Sequence, residues 1–351
     1  MSISRGRREA RTLRADLVQK SWRLIDEGRS FVISSHVNPE GDAIGSMIAV
    51  GLVLEGLGKR VCMLMQDPLP VIYRFLPAAD RVRRPPVEED FDTAVVVDCE
   101  SIGRVGSAAE AVQSASRLLV IDHHPAERSF GDVEIRDTSA AAVGELIYLL
   151  LREWNVPVSA EVAECLLTAI LVDTGAFRYS NATPRTLRVA ADLIEQGADM
   201  GRVISEVFES RPQSSIRLMG RALAAMKATD DGSITYATLS RGDFVAAGAA
   251  ENETDGIVNQ LLFASGAKVA ALFRESEEGV RVSLRSREGV DVSRIAREFG
   301  GGGHVRASGC TVQAPMDEAV RLVLAEARKQ AGGTEEPGCD GGAGEADSGC
   351  R

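Results

Sequence analysis

The sequence predicts an α/β protein, with an N-terminal parallel, doubly wound sheet followed by a smaller C-terminal α/β domain. Three observations lead there. Apolar runs such as Phe31-Val32-Ile33, Ala94-Val95-Val96-Val97 and Leu118-Leu119-Val120-Ile121 alternate with helical segments, as in buried parallel strands. Each of these runs ends in a polar cluster carrying Asp, Glu or His. From about residue 233 the strand–helix alternation begins afresh, after a helical stretch without a strand.

The elements follow in order. A helix is expected near 9–28, in a segment made basic by Arg5, Arg7, Arg8, Arg11 and Arg14. Glu9 and Asp16 interrupt those charges and no apolar signal core follows, so this is read as an amphipathic helix of a soluble, cytoplasmic protein. A strand at 31–35, a helix at 43–56 and a strand at 60–65 come next. Pro68, Pro70, Pro77, Pro85 and Pro86 mark a looser connection. Strands at 94–98 and 118–122 flank a short alanine-rich helix at 108–115. A strand at 133–136 precedes helices at 141–154, 160–171 and 183–196. The stretch 199–225 reads as helical. Strands are then expected at 234–239, 267–273 and 280–285, and helices at 255–264, 292–299 and 317–330. The resulting division is 15–195 for a catalytic domain, 196–230 for a helical connector, 231–330 for a second domain and 331–351 for an acidic tail. That tail is rich in Gly, Glu, Asp and Ser, too polar to bury a core, and is expected to be disordered.

Composition narrows the function. The 351 residues carry a net charge of -11, which argues against long duplex DNA bound by a basic surface. A small anion held by cations and a few arginines remains compatible. No apolar stretch approaches the ~18 residues of a membrane span. None of the six cysteines, Cys62, Cys99, Cys165, Cys310, Cys339 and Cys350, forms a CxxC pair. Those in strand and helix contexts read as small buried hydrophobes.

The polar clusters carry the chemistry. His36, Glu40 and Asp42 surround Asn38-Pro39 and Gly41, a turn that folds them toward one point. An imidazole with carboxylates suits a divalent transition ion such as manganese. The structural alternative makes Asp42 a helix cap and His36 a core histidine. Asp98 closes an apolar strand, where a carboxylate is costly unless paired, metal-bound or capping. Asp122-His123-His124 also follows an apolar run, and holds half of the four histidines. Asp173 ends a helix just before Gly175, which doubles as a helix stop. Together these clusters offer more ligands than one cation needs. In the second domain, Gly300-Gly301-Gly302-Gly303-His304 lies between Arg297 and Arg306. Its backbone N–H groups, with Arg285, could cradle a phosphate.

These residues resemble the DHH phosphoesterase superfamily, DHHA1 branch, of the bacterial nanoRNase and pAp-phosphatase type. The resemblance runs over about 15–325. Its first motif stands at His36 through Ser46, then Asp98, the Asp122-His123-His124 signature, Asp173, and Gly301 through Gly309. It implies a DHH domain and a DHHA1 domain with the active site in the cleft between. One cation would be held by His36, Glu40 and Asp98, the other by Asp42, Asp98, His123 and Asp173. Asp122 would orient the first imidazole, and His124 would face the scissile phosphate. Arg285, Gly301, Gly302, Gly303 and His304 would bind substrate. Glu40 stands where many members have Asp.

The implied function is a metal-dependent hydrolase that degrades short oligoribonucleotides, including linear dinucleotides, and 3′-phosphoadenosine 5′-phosphate. Water activated by two cations, Mn²⁺ first with Mg²⁺ or Co²⁺ as alternatives, attacks phosphorus. The partners are short RNA or nucleotides, not long duplex DNA or membrane, and the family often forms homodimers. The alternatives are a stand-alone cyclic-dinucleotide phosphodiesterase of the same superfamily and a non-catalytic nucleotide-binding protein.

Overall fold

The computed structural model describes residues 13–126, 128–287 and 289–332. The start of the first expected helix, the acidic tail, Cys339 and Cys350 lie outside the described residues. The chain divides into two compact units that meet in sequence at Ser210 and Arg211.

The first unit opens with α1 (Ala15–Glu27), β1 (Ser30–Ser34), α2 (Gly41–Gly56) and β2 (Arg60–Met63). It continues through β3 (Thr93–Val97), α3 (Ala109–Ser114), β4 (Arg117–Asp122) and β5 (Val133–Arg136). It closes with α4 (Val143–Glu153), α5 (Ala160–Asp173), α6 (Pro184–Glu195) and α7 (Met200–Ile204). The five strands form one sheet in the order β2-β1-β3-β4-β5, parallel at every pairing. β1 and β3 are buried throughout, which is why both read as unbroken apolar runs. Strand order reverses between β1 and β3, so the loops leaving their carboxyl ends border the crevice of a doubly wound sheet.

Three helices then pack behind those loops. α2 is buried on nearly every side, as expected of a helix apolar all round. It lies so close to α5 that a Cβ on Gly45 would stand 2.4 Å from the Cys165 carbonyl oxygen. α4 approaches α5 in the same way, and a Cβ on Gly144 would stand 2.6 Å from that of Ala169. Side-chain caps fix two helix starts: Ser159 accepts from Val162 N–H on α5, and Thr183 with Thr186 forms a capping box on α6.

The second unit comprises α8 (Gln213–Ala224), β6 (Lys227–Ala228), β7 (Ile234–Leu239), α9 (Arg241–Ala247) and α10 (Ile257–Leu262). After these come β8 (Val269–Ser276), β9 (Gly279–Ser286), α11 (Val292–Glu298), β10 (Gly302–His304), β11 (Ala307–Val312) and α12 (Met316–Gly332). Its sheet runs β10-β11-β9-β8-β7-β6. Only β7 and β8 pair parallel; the other pairings are antiparallel. Alternation along β8 sorts its side chains: Val269, Ala271 and Phe273 join the core under α11 and α12, whereas Ala270 and Leu272 join α8, α9 and α10.

The stretch read as a connector divides between the units. Val203 of α7 is buried in the first core, and Leu218 and Ala222 of α8 in that of the second. The short α9, missed in the sequence, begins with a Ser240–Asp243 capping box. Cys62, Cys99, Cys165 and Cys310 are free and buried. Among the described residues, no helix is long and apolar enough to cross a membrane.

Because the Gly45 contact is with backbone, Gly45→Ala should destabilise the protein by about 1–3 kcal/mol through overpacking. Urea unfolding followed by circular dichroism measures this; an unchanged midpoint would show that α2 and α5 can separate freely.

Candidate metal centre

Each functional side chain is set by the end of a strand or helix. His36 leaves β1 with Nδ1 2.8 Å from the Val37 carbonyl oxygen. The carbonyl accepts a hydrogen bond from Nδ1, which turns Nε2 toward the carboxylates. That nitrogen faces Asp98 Oδ2 at 3.5 Å. The Arg104 guanidinium stands 3.2 Å from the Nδ1 edge. Glu40 is the exposed N-cap residue of α2 and makes no side-chain cap.

Asp42 is fully buried in the first turn of α2, yet it does not cap its own helix. Its Oδ2 accepts from Val143 N–H at 2.6 Å, and its Oδ1 from Gly144 N–H at 3.0 Å. Ser46 Oγ donates to the same Oδ1 at 3.0 Å. Asp42 therefore sits at the N-terminus of α4, where partial positive charge favours a carboxylate.

Asp98 follows β3 with φ 53°, a left-handed conformation that Asp tolerates better than most residues. Its N–H donates to the Ile121 carbonyl at 3.0 Å, so the turn remains tied to β4. Asp98 Oδ1 is buried without a hydrogen-bond partner among the described residues. Asp173 ends α5. Behind it Gly175 adopts φ +55°, and a Cβ there would meet the Tyr179 ring at 2.4 Å.

The two consecutive histidines are held differently. His123 Nδ1 lies 3.2 Å from the Ala140 carbonyl oxygen, so Nε2 presents a lone pair. That atom faces Asp173 Oδ2 at 3.3 Å, Asp98 Oδ1 at 3.7 Å and Asp42 Oδ2 at 3.9 Å. His124 Nδ1 lies 2.9 Å from Asp122 Oδ1. The expectation that Asp122 orients the first imidazole is therefore corrected: Asp122 holds the second, and the Ala140 carbonyl holds the first. Asp122 ends β4, so the residue two positions on folds back over its carboxylate, and the two imidazoles meet edge to face with centroids 4.4 Å apart.

Electrostatics distinguish these groups. Burial, then repulsion from Asp98, pushes the Asp42 carboxyl up to about 7. Burial, then Asp42, Asp98 and Glu40, raises that of Asp173 well above the usual range. The Asp122 hydrogen bond lifts His124 to about 9 against the opposing effect of burial. Burial works to raise Asp122, but bonds from His124 and charge from Arg136 hold it below the usual range.

Two buried carboxylates, Asp42 and Asp98, and the half-buried Asp173 around one imidazole lone pair, with Asp98 keeping an orphaned oxygen, fit a divalent cation. Ligand atoms each about 2.1 Å from an ion stand roughly 3–3.5 Å apart, near the separations around His123. Two overlapping groups satisfy ligand geometry among the described residues: Asp42, His123 and Asp173, and Asp98, His123 and His124. His36 adjoins this cluster through Asp98, while exposed Glu40 belongs to neither group.

The loop before α4 and the first turn of that helix support the cluster, in roles the sequence did not show: Ala140 supplies its carbonyl to His123, and Val143 and Gly144 supply two N–H groups to Asp42. Buried Glu145 fastens this loop, accepting from Ala141 N–H, Thr186 Oγ1 and Arg185 Nε. Arg185 also pairs with Asp137 at 3.0 Å. Asn181 Nδ2 donates to the carbonyls of Ala141 and Asp173, at 3.2 and 3.1 Å. The visible signal was the small-residue run Ser139-Ala140-Ala141-Ala142 before Val143-Gly144.

In the second unit, Arg285 and His304 share one sheet face, because both pair with Ala307 on the intervening strand. The glycine run is not an open cradle. Gly300 N–H donates to the Arg297 carbonyl at 3.1 Å and Gly301 N–H to that of Ala296 at 2.9 Å, closing α11. The expected role of Gly301 as a backbone donor to substrate is therefore corrected. Gly302 and Gly303 form β10 with His304, and Gly303, at φ +134°, packs against the Ala307 carbonyl.

Comparison with known proteins agrees with this geometry. Residues 30–170 match the DHH family, N-terminal domain, and 231–332 match the DHHA1 domain. A Thermus thermophilus protein named bifunctional oligoribonuclease and PAP phosphatase NrnA is 36% identical over 299 residues, 85% of this chain and 89% of its own. A Bacillus subtilis protein of the same name is 28% identical, covering 86% of this chain and 95% of its own. The structure of an exopolyphosphatase-related protein from Bacteroides fragilis superposes with a TM-score of 0.86 at 25% identity, covering 92% of this chain and 98% of that one.

Asp98→Asn should preserve the turn, since Asn also tolerates φ > 0, while removing one of the crowded charges. In EDTA this variant is expected to be at least as stable as the parent. With Mn²⁺ at 100 times Kd the parent should gain about 2.7 kcal/mol and the variant much less. Thermal melts with and without metal decide it, and equal gains would exclude Asp98 as a ligand.

Proposed function

Because the chain belongs to the DHH family of phosphoesterases and carries the DHHA1 domain, we propose that it hydrolyses short oligoribonucleotides to mononucleotides and removes the 3′-phosphate of 3′-phosphoadenosine 5′-phosphate. The observation that carries the proposal is the cluster of Asp42, Asp98 and Asp173 around the Nε2 lone pair of His123. Among the described residues, no Lys or Arg is paired with those three carboxylates; His124 Nδ1 stands 3.4 Å from Asp98 Oδ1.

Asp42, Asp98, His123 and Asp173 would hold the cations, with His36 beside Asp98 and Glu40 at the rim. The mixture of imidazole and carboxylate favours Mn²⁺ over Mg²⁺. Bound cations would acidify the attacking water and stabilise charge developing on the phosphoryl oxygens. The chain's own groups do the rest. His124, kept protonated by Asp122, donates to a phosphoryl oxygen or to the departing ribose oxygen. Asp122, anchored by the Arg136 guanidinium, holds that proton on Nδ1 and fixes the ring. Arg285 and His304 of the DHHA1 domain bind the terminal phosphate of the substrate. A cytoplasmic place in nucleotide turnover fits such substrates.

The purified protein with Mn²⁺ should release mononucleotides from an RNA trimer and from pGpG, and phosphate from 3′-phosphoadenosine 5′-phosphate, with all three activities lost in EDTA. Product chromatography reads the outcome. Turnover of a cyclic dinucleotide alone would replace this substrate assignment.

His124→Ala should lower kcat by about 10²–10⁴-fold, the usual worth of a positioned acid, with a smaller change in KM. His304→Ala should do the reverse, raising KM more than it lowers kcat. Steady-state kinetics on the RNA trimer separates them, and an identical effect of both variants on kcat would refute the division of roles.

A further inference from the structure

The second sheet presents two opposed arginines. Arg274 on β8 and Arg281 on β9 are register partners, so their side chains leave the same face. Like charges placed directly across a sheet are destabilising. Arg281 is exposed and reaches Glu278 at 3.6 Å, a weak surface contact. Arg274 is half-buried and has only neutral partners: Nη1 donates to Thr254 Oγ1 at 2.7 Å and Nη2 to Ser283 Oγ at 3.0 Å. Its Nε is buried without a partner, and among the described residues it makes no ion pair. Burial, then Arg281, works against its charge, and Asp255 and Glu251 compensate only from a distance.

Beside this pair opens a cavity of ≈ 390 Å³, lined by both arginines, Ser283, Thr311, Phe299 and Gly301 among others. It offers two guanidinium groups, two hydroxyls and one aromatic wall. A partly desolvated cation without a counter-charge is costly, and an anion lodged between the two would remove that cost. Guanidinium forks match phosphate oxygens in pairs. The two hydroxyls could serve the remaining oxygens, and Phe299 gives a base or ribose an apolar surface.

We propose that Arg274 and Arg281 form an anion site that takes a phosphate group. Arg281 lies four residues along β9 from Arg285, or roughly 13 Å at about 3.3 Å per residue, on the same sheet face. No residue of the metal centre enters the anion site, so it stands or falls independently of the hydrolytic function. Free nucleotide, inorganic phosphate and the backbone of a longer RNA all present the required chemistry.

The test is calorimetric titration of the full chain in EDTA with three probes: orthophosphate, AMP and a 5′-phosphorylated RNA trimer. Arg274→Gln/Arg281→Gln should lose one bound phosphate group per chain, or weaken it at least tenfold. Loss for orthophosphate and AMP would identify a free-anion site. Loss for the trimer alone would identify a backbone contact. Arg281→Gln, at an exposed position, provides a variant free of folding risk and should weaken the same probe severalfold. Wild-type affinity and stoichiometry for all three probes in both variants would overturn the proposal.

Discussion

Mutual repulsion among Asp42, Asp98 and Asp173 is the constraint around which the first unit is organised. Burial, together with the neighbouring carboxylates, disfavours the charges of Asp42 and Asp173, which share one imidazole with Asp98. Such a cluster persists only if the surrounding fold over-determines it. Here the reinforcement is specific. Gly45 and Gly144 let α2 and α4 close on α5, which brings Asp42 and Asp173 together from opposite helix ends. The N-terminus of α4 then gives Asp42 two N–H donors. Asp98 is delivered from the sheet side, in a left-handed turn tied to Ile121. The apolar core provides the energy for this assembly, and a cation would relieve the charge it creates.

The same loops decide what each imidazole can do. His123 gives its Nδ1 proton to a backbone carbonyl, which is neutral and leaves Nε2 open as a lone pair. His124 gives its Nδ1 proton to a carboxylate, which stabilises the imidazolium instead. One short stretch thus holds a ligand and an acid side by side. A carbonyl-held ring suits a cation, whereas a carboxylate-held ring suits a proton.

The sequence showed those parts of this arrangement that depend on chain-local chemistry. β1, β3 and β4 were legible because buried parallel strands are continuously apolar, and the polar clusters stood out where those runs stop. Asp173 was placed correctly because Gly175 marks the helix end. Partners separated by many residues were not legible. The Ala140 carbonyl and the Val143 and Gly144 N–H groups are backbone atoms, and any sequence supplies backbone atoms. The partner of Asp122 was misassigned because adjacency in sequence does not tell which of two neighbouring rings folds back. The glycine run misled for a related reason: Gly300 and Gly301 looked like free donors, but helix α11 needed those N–H groups for its own last carbonyls. The stretch taken for a connector was divided because α7 and α8 are each amphipathic, and each found a core on its own side of Ser210 and Arg211.

The buried ion network of Arg185, Glu145 and Asp137 follows from the same demand. It touches none of the clustered carboxylates, and such pairs are weak sources of net stability. Its location gives it a different value. Asp137 opens the loop that leads into α4, and Glu145 stands in the first turn of that helix. Arg185, at the start of α6, fastens both flanks. Between those fixed points lie the Ala140 carbonyl, which sets the His123 tautomer, and the two N–H groups that receive Asp42. The small residues Ala140, Ala142 and Val143 pack into the first core. Charge pairing at the two ends adds to that packing, and Asn181 ties the middle to the carbonyl of Asp173. Precision at the cluster is therefore imposed from one layer outside it, by a guanidinium shared between two carboxylates.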